Sequence, residues 1–483
     1  MIGGVGTALV AGHLLLGEFV LVMAMLLALS AIDDLFIDLL YVCQRLSRRR
    51  TAAHRASRPS LAAVYAARPA PMAIIIPAWD EAAVIGAMLT RLLASIDYPD
   101  FRVFVGLYPN DPAGIAAVAA VDDVANLAGV AGVANLAGVA GGRVETVMCR
   151  RPGPTTKSDC LNHLWRAVLA DEIAAGRTFK AVVLHDAEDV VHPLALRLQN
   201  AMIPRFAMVQ LPVIPFIDAE SPWIAGHYLD EFATNHTKDI VVRERLGAAV
   251  PSAGVGCAID RDMLARIAAI AGGDPFDPTC LTEDYELGLR IKALGGHTAL
   301  ARVRDKNGAV IATREHFPAS FATARRQKTR WFLGIALSGW DRIGWPGTAA
   351  DRYMLMRDRK VVAAALLTMV AYLATLLIGI DAVLVASVPA MRRLSPLFGP
   401  LASALVAVNI ALLMWRSLMR AACTAHAHGW REGLRAMPRA LVGNVINAAA
   451  AWGACRRYSA AVREGTALGW DKTAHRFPAL ATA

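Results

Sequence analysis

The chain has 483 residues, of which 56% are hydrophobic and 19% charged, with a formal net charge of +10. That is too apolar for an ordinary soluble enzyme and too charged for an all-membrane bundle, so a soluble domain joined to membrane segments is expected and disorder as the main state is excluded. Seven cysteines scattered without a CxxC pair exclude a disulfide-stapled scaffold and give no zinc signal.

Residues 5–30 are almost wholly apolar, with His13 and Glu18 as exceptions. The run is longer than a signal-peptide core and lacks a basic start, and Asp33, Asp34 and Asp38 follow it. Residues 1–44 therefore read as a retained transmembrane helix. Residues 45–69 form a basic linker, with seven arginines between positions 45 and 68 and no acid. Such a stretch stays on the cytoplasmic side, which places the N-terminus outside. Its position beside an apolar run points to a lipid bilayer and not to nucleic acid.

Beyond the linker, strand and helix signals alternate. Strands are expected at 72–76, 101–107, 143–149, 180–185 and 207–213, and helices at 81–94 and 157–174. This order implies a mostly parallel sheet with helices on both faces, whose ligands bind beyond the carboxyl ends of the strands. A nonapeptide, Val124–Gly132, repeats unchanged at Val133–Gly141. Two copies are too few for a solenoid, and four glycines make a poor helix.

Three stretches could carry chemistry. His185-Asp186-Ala187-Glu188-Asp189 puts three acids after a strand. It reads either as a solvated acidic turn or as carboxylates that a divalent cation relieves of mutual repulsion. Thr282-Glu283-Asp284 opens a helical stretch. Thr282 as N-cap with acids in the first turn explains it without catalysis. Gln327, Arg330 and Trp331 share one face of a basic, aromatic helix over 320–345. That helix suits a membrane surface and also a fork for phosphate or sugar beside a stacking ring.

Further apolar runs follow. Residues 360–389 and 396–416 read as two more spans, and the arginines after the second return the chain to the cytoplasm. The run at 437–456 is short and holds Asn444 and Asn447. It reads as an interfacial or re-entrant helix, with a cytoplasmic tail over 457–483.

In this order the motifs resemble the membrane-bound family 2 glycosyltransferases, the group containing cellulose and hyaluronan synthases. The matching residues are Asp80-Glu81 after the first strand, Lys157-Ser158-Asp159, Asp186-Ala187-Glu188, Thr282-Glu283-Asp284, and Gln327 with Arg330-Trp331. A narrower likeness, to the bacteriophage N4 adsorption protein B group, rests on these motifs with His316-Phe317-Pro318 and Gly469–His475. Longer members of that group carry a cyclic-di-GMP-binding domain after the last motif. None is expected in this chain.

The resemblance implies a GT-A fold over 70–319, an α/β nucleotide-diphospho-sugar transferase, and inverting transfer from a nucleoside diphosphate sugar, a UDP-sugar by the family pattern. It implies Asp80, Glu81, Lys157, Asp159 and Asp186 at the donor and Asp284 as general base. Glu283, Gln327, Arg330 and Trp331 fall at the acceptor and diphosphate. Mg²⁺ or Mn²⁺ falls at Asp186 with Glu188 or Asp189. Where the family has paired acids after the second strand, this chain has Leu107–Asp111, so Asp111 is the candidate substitute. The implied setting is a bacterial-type inner membrane with a cytoplasmic catalytic domain. The acceptor is a growing polysaccharide or a lipid-linked sugar, and an outer-membrane export partner fits the narrower group. A silent membrane receptor or scaffold is the reading from another class.

Overall fold

The computed structural model describes residues 2–46, 58–127, 143–389, 391–392, 394–466 and 476–478. Positions 128–141 of the nonapeptide repeat, the linker residues 47–57 and the segment 469–475 lie outside the described residues.

The chain enters on a 45-residue helix, α1 (Ile2–Leu46). Strands β1 (Met72–Pro77), β2 (Phe101–Leu107), β3 (Val144–Met148), β4 (Ala181–Leu184), β5 (Val190–Val191), β6 (Met208–Gln210), β7 (Val213–Pro215), β8 (Cys257–Asp260), β9 (Thr298–Leu300) and β10 (Thr313–Glu315) follow. The helices that matter below are α2 (Lys157–Ala175), α3 (Ile224–Thr234), α4 (Glu283–Ala293), α5 (Phe321–Phe332), α6 (Ala349–Ser387), α7 (Pro400–His428) and α8 (Trp430–Glu464).

β1 is apolar along its length because both faces of the sheet are covered. On one face Ile74 and Ile76 join Val103 and Val105 of β2 against Ile85, Met88 and Leu89. On the other, Ala73, Ile75 and Phe104 meet Leu161, Leu164 and Trp165 of α2. The main sheet has the order β3-β2-β1-β4-β8-β6-β9. β1 pairs in parallel with β2 and β4, whereas β8 runs antiparallel between β4 and β6. The sheet is therefore mixed where an almost parallel one was expected.

The expected strand 207–213 divides in two. Pro212 has no N–H for the ladder. The chain leaves the main sheet there, and β7 joins a small second sheet, β5-β10-β7.

Among the described residues three helices are long and apolar enough to cross a membrane: Thr7–Leu46, Ala349–Ser387 and Pro400–His428. The second starts well before the expected 360–389 span. Thr348 and Asp351 form a reciprocal capping box at its N-terminus. Its charged first turns then dock on α1, where Arg357 and Lys360 pair with Asp33 and Asp34. Deeper along the helices, His13 Nδ1 lies 2.9 Å from Asp381, and Asn409 donates to the Ala24 carbonyl at 2.8 Å. The 396–416 run continues to His428 as α7.

The short helix expected at 437–456 is the middle of a 35-residue one, α8. Its polar groups bind the folded domain. Arg439, with no exposed surface, lies 2.8 Å from Asp230 of α3 and 2.7 Å from Glu432. Asn447 donates to Glu231 at 3.1 Å. Thr329 of α5 donates to the Ala450 carbonyl at 3.3 Å, and a Cβ at Gly453 would stand 3.2 Å from the Thr329 hydroxyl. The last helix thus braces the helix that carries Gln327, Arg330 and Trp331.

Candidate active site

The carboxyl ends of β1 and β4, the start of α2, the start of α4 and one face of α5 converge on a cavity of about 140 Å³. Glu81, Lys157, Asp186, Glu188, Glu283 and Asp284 line it, together with Gln327, Arg330 and Trp331. Residues from five separated stretches of sequence therefore face one space.

After β1 the chain turns sharply. Asp80 has φ +52°, a left-handed conformation at a non-glycine position. Its N–H donates to Asp111 Oδ2 at 2.9 Å, and Asp111 Oδ1 accepts from Gly114 N at 3.0 Å. Asp111 therefore caps the helix Pro112–Leu127 and ties down the β1 turn. It does not line the cavity. Trp79 stands edge-on to Tyr108 at 5.1 Å. Gly153 makes room for it, since a Cβ there would lie 2.4 Å from the indole.

Thr156 caps α2, accepting from Asp159 N at 3.3 Å. The Lys157 ammonium is thereby aimed at Asp186 Oδ1, 2.5 Å away. Burial opposes its charge, yet Asp186, Glu283 and Asp284 together hold its pKa above the ordinary lysine value. Asp159 instead pairs with Arg151 at 3.0 Å, off the cavity wall.

The acidic turn after β4 divides its labour. Asp186 and Glu188 face the cavity. Asp189 does not. Its Oδ2 lies 2.6 Å from His185 Nδ1 and accepts from Asp186 N at 3.2 Å. Burial, then the charges of Asp186 and Glu188, pushes the Asp189 carboxyl well up. Burial pushes His185 down to about 4. Asp189 thus holds the turn, and the structure corrects its assignment as a metal residue: it has no face toward the cavity.

Thr282 stands at the N-cap of α4 as expected, but its side chain makes no capping bond. It packs instead on Gly334, where a Cβ would approach within 2.5 Å. This contact seats the end of α5 on the start of α4. Burial, then the neighbouring Asp284 charge, raises Glu283 to about 7. Burial also raises Asp284, against the pull of Lys157. Asp284 Oδ1 accepts from Tyr285 N at 2.7 Å. Beneath Oδ2 lies Gly254, with φ +80°, whose Cβ would sit 2.6 Å from that oxygen.

On α5, Trp331 stands edge-on to Tyr228 at 6.1 Å and to Phe232 at 6.4 Å. Both rings also contact Phe317, each at 4.7 Å. The Lys328 ammonium lies over the Tyr228 and Trp331 rings, 5.1 and 5.8 Å from their centroids, and pairs with Glu231.

Six carboxylates line the cavity (Glu81, Asp186, Glu188, Glu283, Asp284 and Glu315) against two cations, Lys157 and Arg330. A diphosphate would be repelled by that wall without a cation beside it. Hard oxygen donors at Asp186 and Glu188 suit Mg²⁺ or Mn²⁺, which keep waters and substrate phosphates in their shell. Among the described residues no three His, Cys, Asp or Glu are grouped so as to hold a metal ion by themselves.

The comparisons with known proteins fall on this same region. Residues 69–334 match the family described as "Glycosyltransferase like family 2". The chain belongs to that family. It is 34% identical over 482 residues to bacteriophage adsorption protein B of Escherichia coli strain K12, covering 95% of this chain and 62% of the relative. The same figures hold for bacteriophage N4 adsorption protein B of E. coli O157:H7. The chain thus spans about three fifths of the length of these relatives. Among solved structures, it is similar to a mannosyltransferase from Pyrobaculum calidifontis in complex with GDP-Man and Mn²⁺, with TM-score 0.53 and 15% identity over 88% of this chain and 99% of that one. That likeness shows the GT-A fold alone.

Sequence reasoning missed Gly254, Thr155, Tyr108, Glu315 and Phe317, which contact Asp284 or line the cavity. The paired glycines 254 and 256 ahead of β8 were the one signal available for the first.

Proposed function

We propose that this chain is an inverting, metal-dependent glycosyltransferase. It would move a sugar from a nucleoside diphosphate sugar, such as a UDP-sugar, to a growing polysaccharide at the inner membrane. The observation that carries this reading is the gathering of Asp284, Lys157, Asp186, Glu188, Gln327, Arg330 and Trp331 around one cavity.

In this reading the acceptor hydroxyl attacks the anomeric carbon, the bond to the diphosphate breaks, and the proton passes to Asp284. Burial raises Asp284 and so strengthens it as a base. One displacement needs one base and no enzyme nucleophile, unlike the two-carboxylate hydrolase design. A divalent ion held by Asp186 and Glu188 would neutralise charge that builds on the leaving diphosphate. Arg330 and Lys157 supply fixed positive charge beside it. Glu81 stands at the nucleotide end, and Asp80 turns the chain there. Asp111 serves the donor by holding backbone, and Asp159 by its pair with Arg151 beside Lys157. Gln327 and Trp331 seat the acceptor, with Glu283 beside them.

The three apolar helices support a multi-pass membrane protein. The arginines at 45–68 support a cytoplasmic catalytic domain.

The test uses detergent-purified full chain with a panel of UDP- and GDP-sugars and Mn²⁺ or Mg²⁺. Nucleotide release and product size are followed, with Asp284→Asn as control. Metal-dependent release that disappears in the variant is expected. Products longer than one added sugar support a polymer, and single additions support a lipid-linked acceptor. A folded protein that neither binds nor turns over any donor would sink the proposal.

A further inference from the structure

A second cavity, of about 950 Å³, lies on the other side of Phe232. Six arginines line it: Arg45, Arg58, Arg245, Arg302, Arg304 and Arg314. Among the described residues no aspartate or glutamate does. Glu244 lies 3.9 Å from Arg302 Nη2 but is not part of the lining.

Two ordinary explanations cover part of this charge. Arg45 ends α1, where a cation favours the helix dipole. Arg45 and Arg58 also belong to the basic stretch that follows a candidate span. Arg245 likewise ends a helix, Ile240–Arg245, but neither explanation reaches Arg302, Arg304 and Arg314, which come from the same domain. Like charges converge there at a cost that a bound anion would relieve. Arg302 shows that cost. Its side chain is 14% exposed, and its buried Nε and Nη2 make no hydrogen bond. Burial, then the charge of Arg58, pushes its pKa down to about 10.

The location narrows the ligand. α1 and α7, two helices apolar enough to span a membrane, both end at this cavity. Phe232 lines it and the catalytic cavity alike, beside Trp331. The volume is that of a ligand site. Arginine forks match phosphate oxygens in pairs.

We propose that this cavity is a second binding site, distinct from the donor site, for a phosphate-bearing ligand with more than one negative charge. The phosphates come from solution or from a lipid headgroup at the membrane surface.

The full chain in detergent is titrated calorimetrically with inorganic pyrophosphate in EDTA, which removes metal-dependent binding at the catalytic cavity. In parallel, native mass spectrometry follows retention of cardiolipin, whose headgroup carries two phosphates, over phosphatidylcholine. The variants are Arg302→Gln and the double variant Arg45→Gln/Arg245→Gln, whose two positions are exposed and spare the fold. Arg330→Ala is the catalytic-cavity control. A ten-fold or greater loss of pyrophosphate affinity in both arginine variants, with Arg330→Ala unchanged, supports the site with soluble phosphates. No pyrophosphate binding, but cardiolipin retention lost in the same variants, supports it with a lipid source. Variants that match the wild type, a loss that follows Arg330→Ala instead, or no binding of either probe overturns it. No turnover is read, so the outcome is independent of the proposed transfer reaction.

Discussion

Replacing Gly254 by alanine tests the assignment of Asp284 as base. Two costs attach to the substitution. At φ +80° an L side chain is strained, which costs about 1–2 kcal/mol of stability. The new Cβ would also lie 2.6 Å from Asp284 Oδ2, so the carboxylate must retreat by roughly 0.8 Å or more to ordinary van der Waals contact. A displacement approaching ~1 Å in a reacting group costs up to about 100-fold in rate. The expectation is a 10- to 100-fold fall in kcat, with KM for the donor little changed. Gly295 provides the control, because it has φ +81° and nothing within 4 Å of its Cβ position. Gly295→Ala pays the backbone strain without touching the site. Nucleotide release is measured for both variants beside thermal unfolding in detergent. Equal losses of Tm with a fall in kcat only for Gly254→Ala is the expected pattern. Full turnover in Gly254→Ala at unchanged Tm would refute the reasoning.

Asp186→Ala and Glu188→Ala are expected to raise the Mn²⁺ concentration for half-maximal turnover at least ten-fold. Asp189→Asn, whose carboxylate binds His185, should lower Tm and leave that concentration unchanged. Glu283, raised to about 7 from an ordinary value of 4.5, binds a proton in the folded state that the unfolded chain has lost between these two values. Its contribution to stability therefore falls as pH rises from about 4.5 to 7. Glu283→Gln should raise Tm at pH 8 and change it little at pH 4.5, and an equal shift at both would contradict this account. Arg439→Met leaves Asp230 buried without its guanidinium and should cost about 3–5 kcal/mol. Adding Asp230→Leu should recover part of that loss in denaturant unfolding.

The site was more legible in the sequence than the way it is held. Polar residues stand out where they follow apolar strands, so Asp186 and Glu188 could be found from β4 alone. Gln327, Arg330 and Trp331 could be placed on one face by helical period. Period and composition do not tell which acid in a turn looks inward. Asp189 differs from Asp186 only in meeting His185, and that contact forms with the turn itself. Asp111 looked like a ligand for the donor because a cap and a ligand use the same oxygen. β8 was missed because four residues after two glycines give little pattern. The full extent of the helix at 430–464 was not legible for a different reason. Asn447 and Arg439 find their partners in Glu231 and Asp230, more than 200 positions earlier. No local window holds both halves of such a pair.

The bracing of α5 by α8 sets an order of events during synthesis. The ribosome passes Arg330 about 120 residues before it reaches the segment that supports Thr329, a delay of about 6–25 s at ~5–20 residues per second. Through that interval the nucleotide half of the domain is already complete, while the acceptor wall has no backing. α6 and α7 must also be made in between. Under the proposed reaction, a nascent chain has its donor residues in place before it can transfer, and transfer awaits the last helix folding back onto α5.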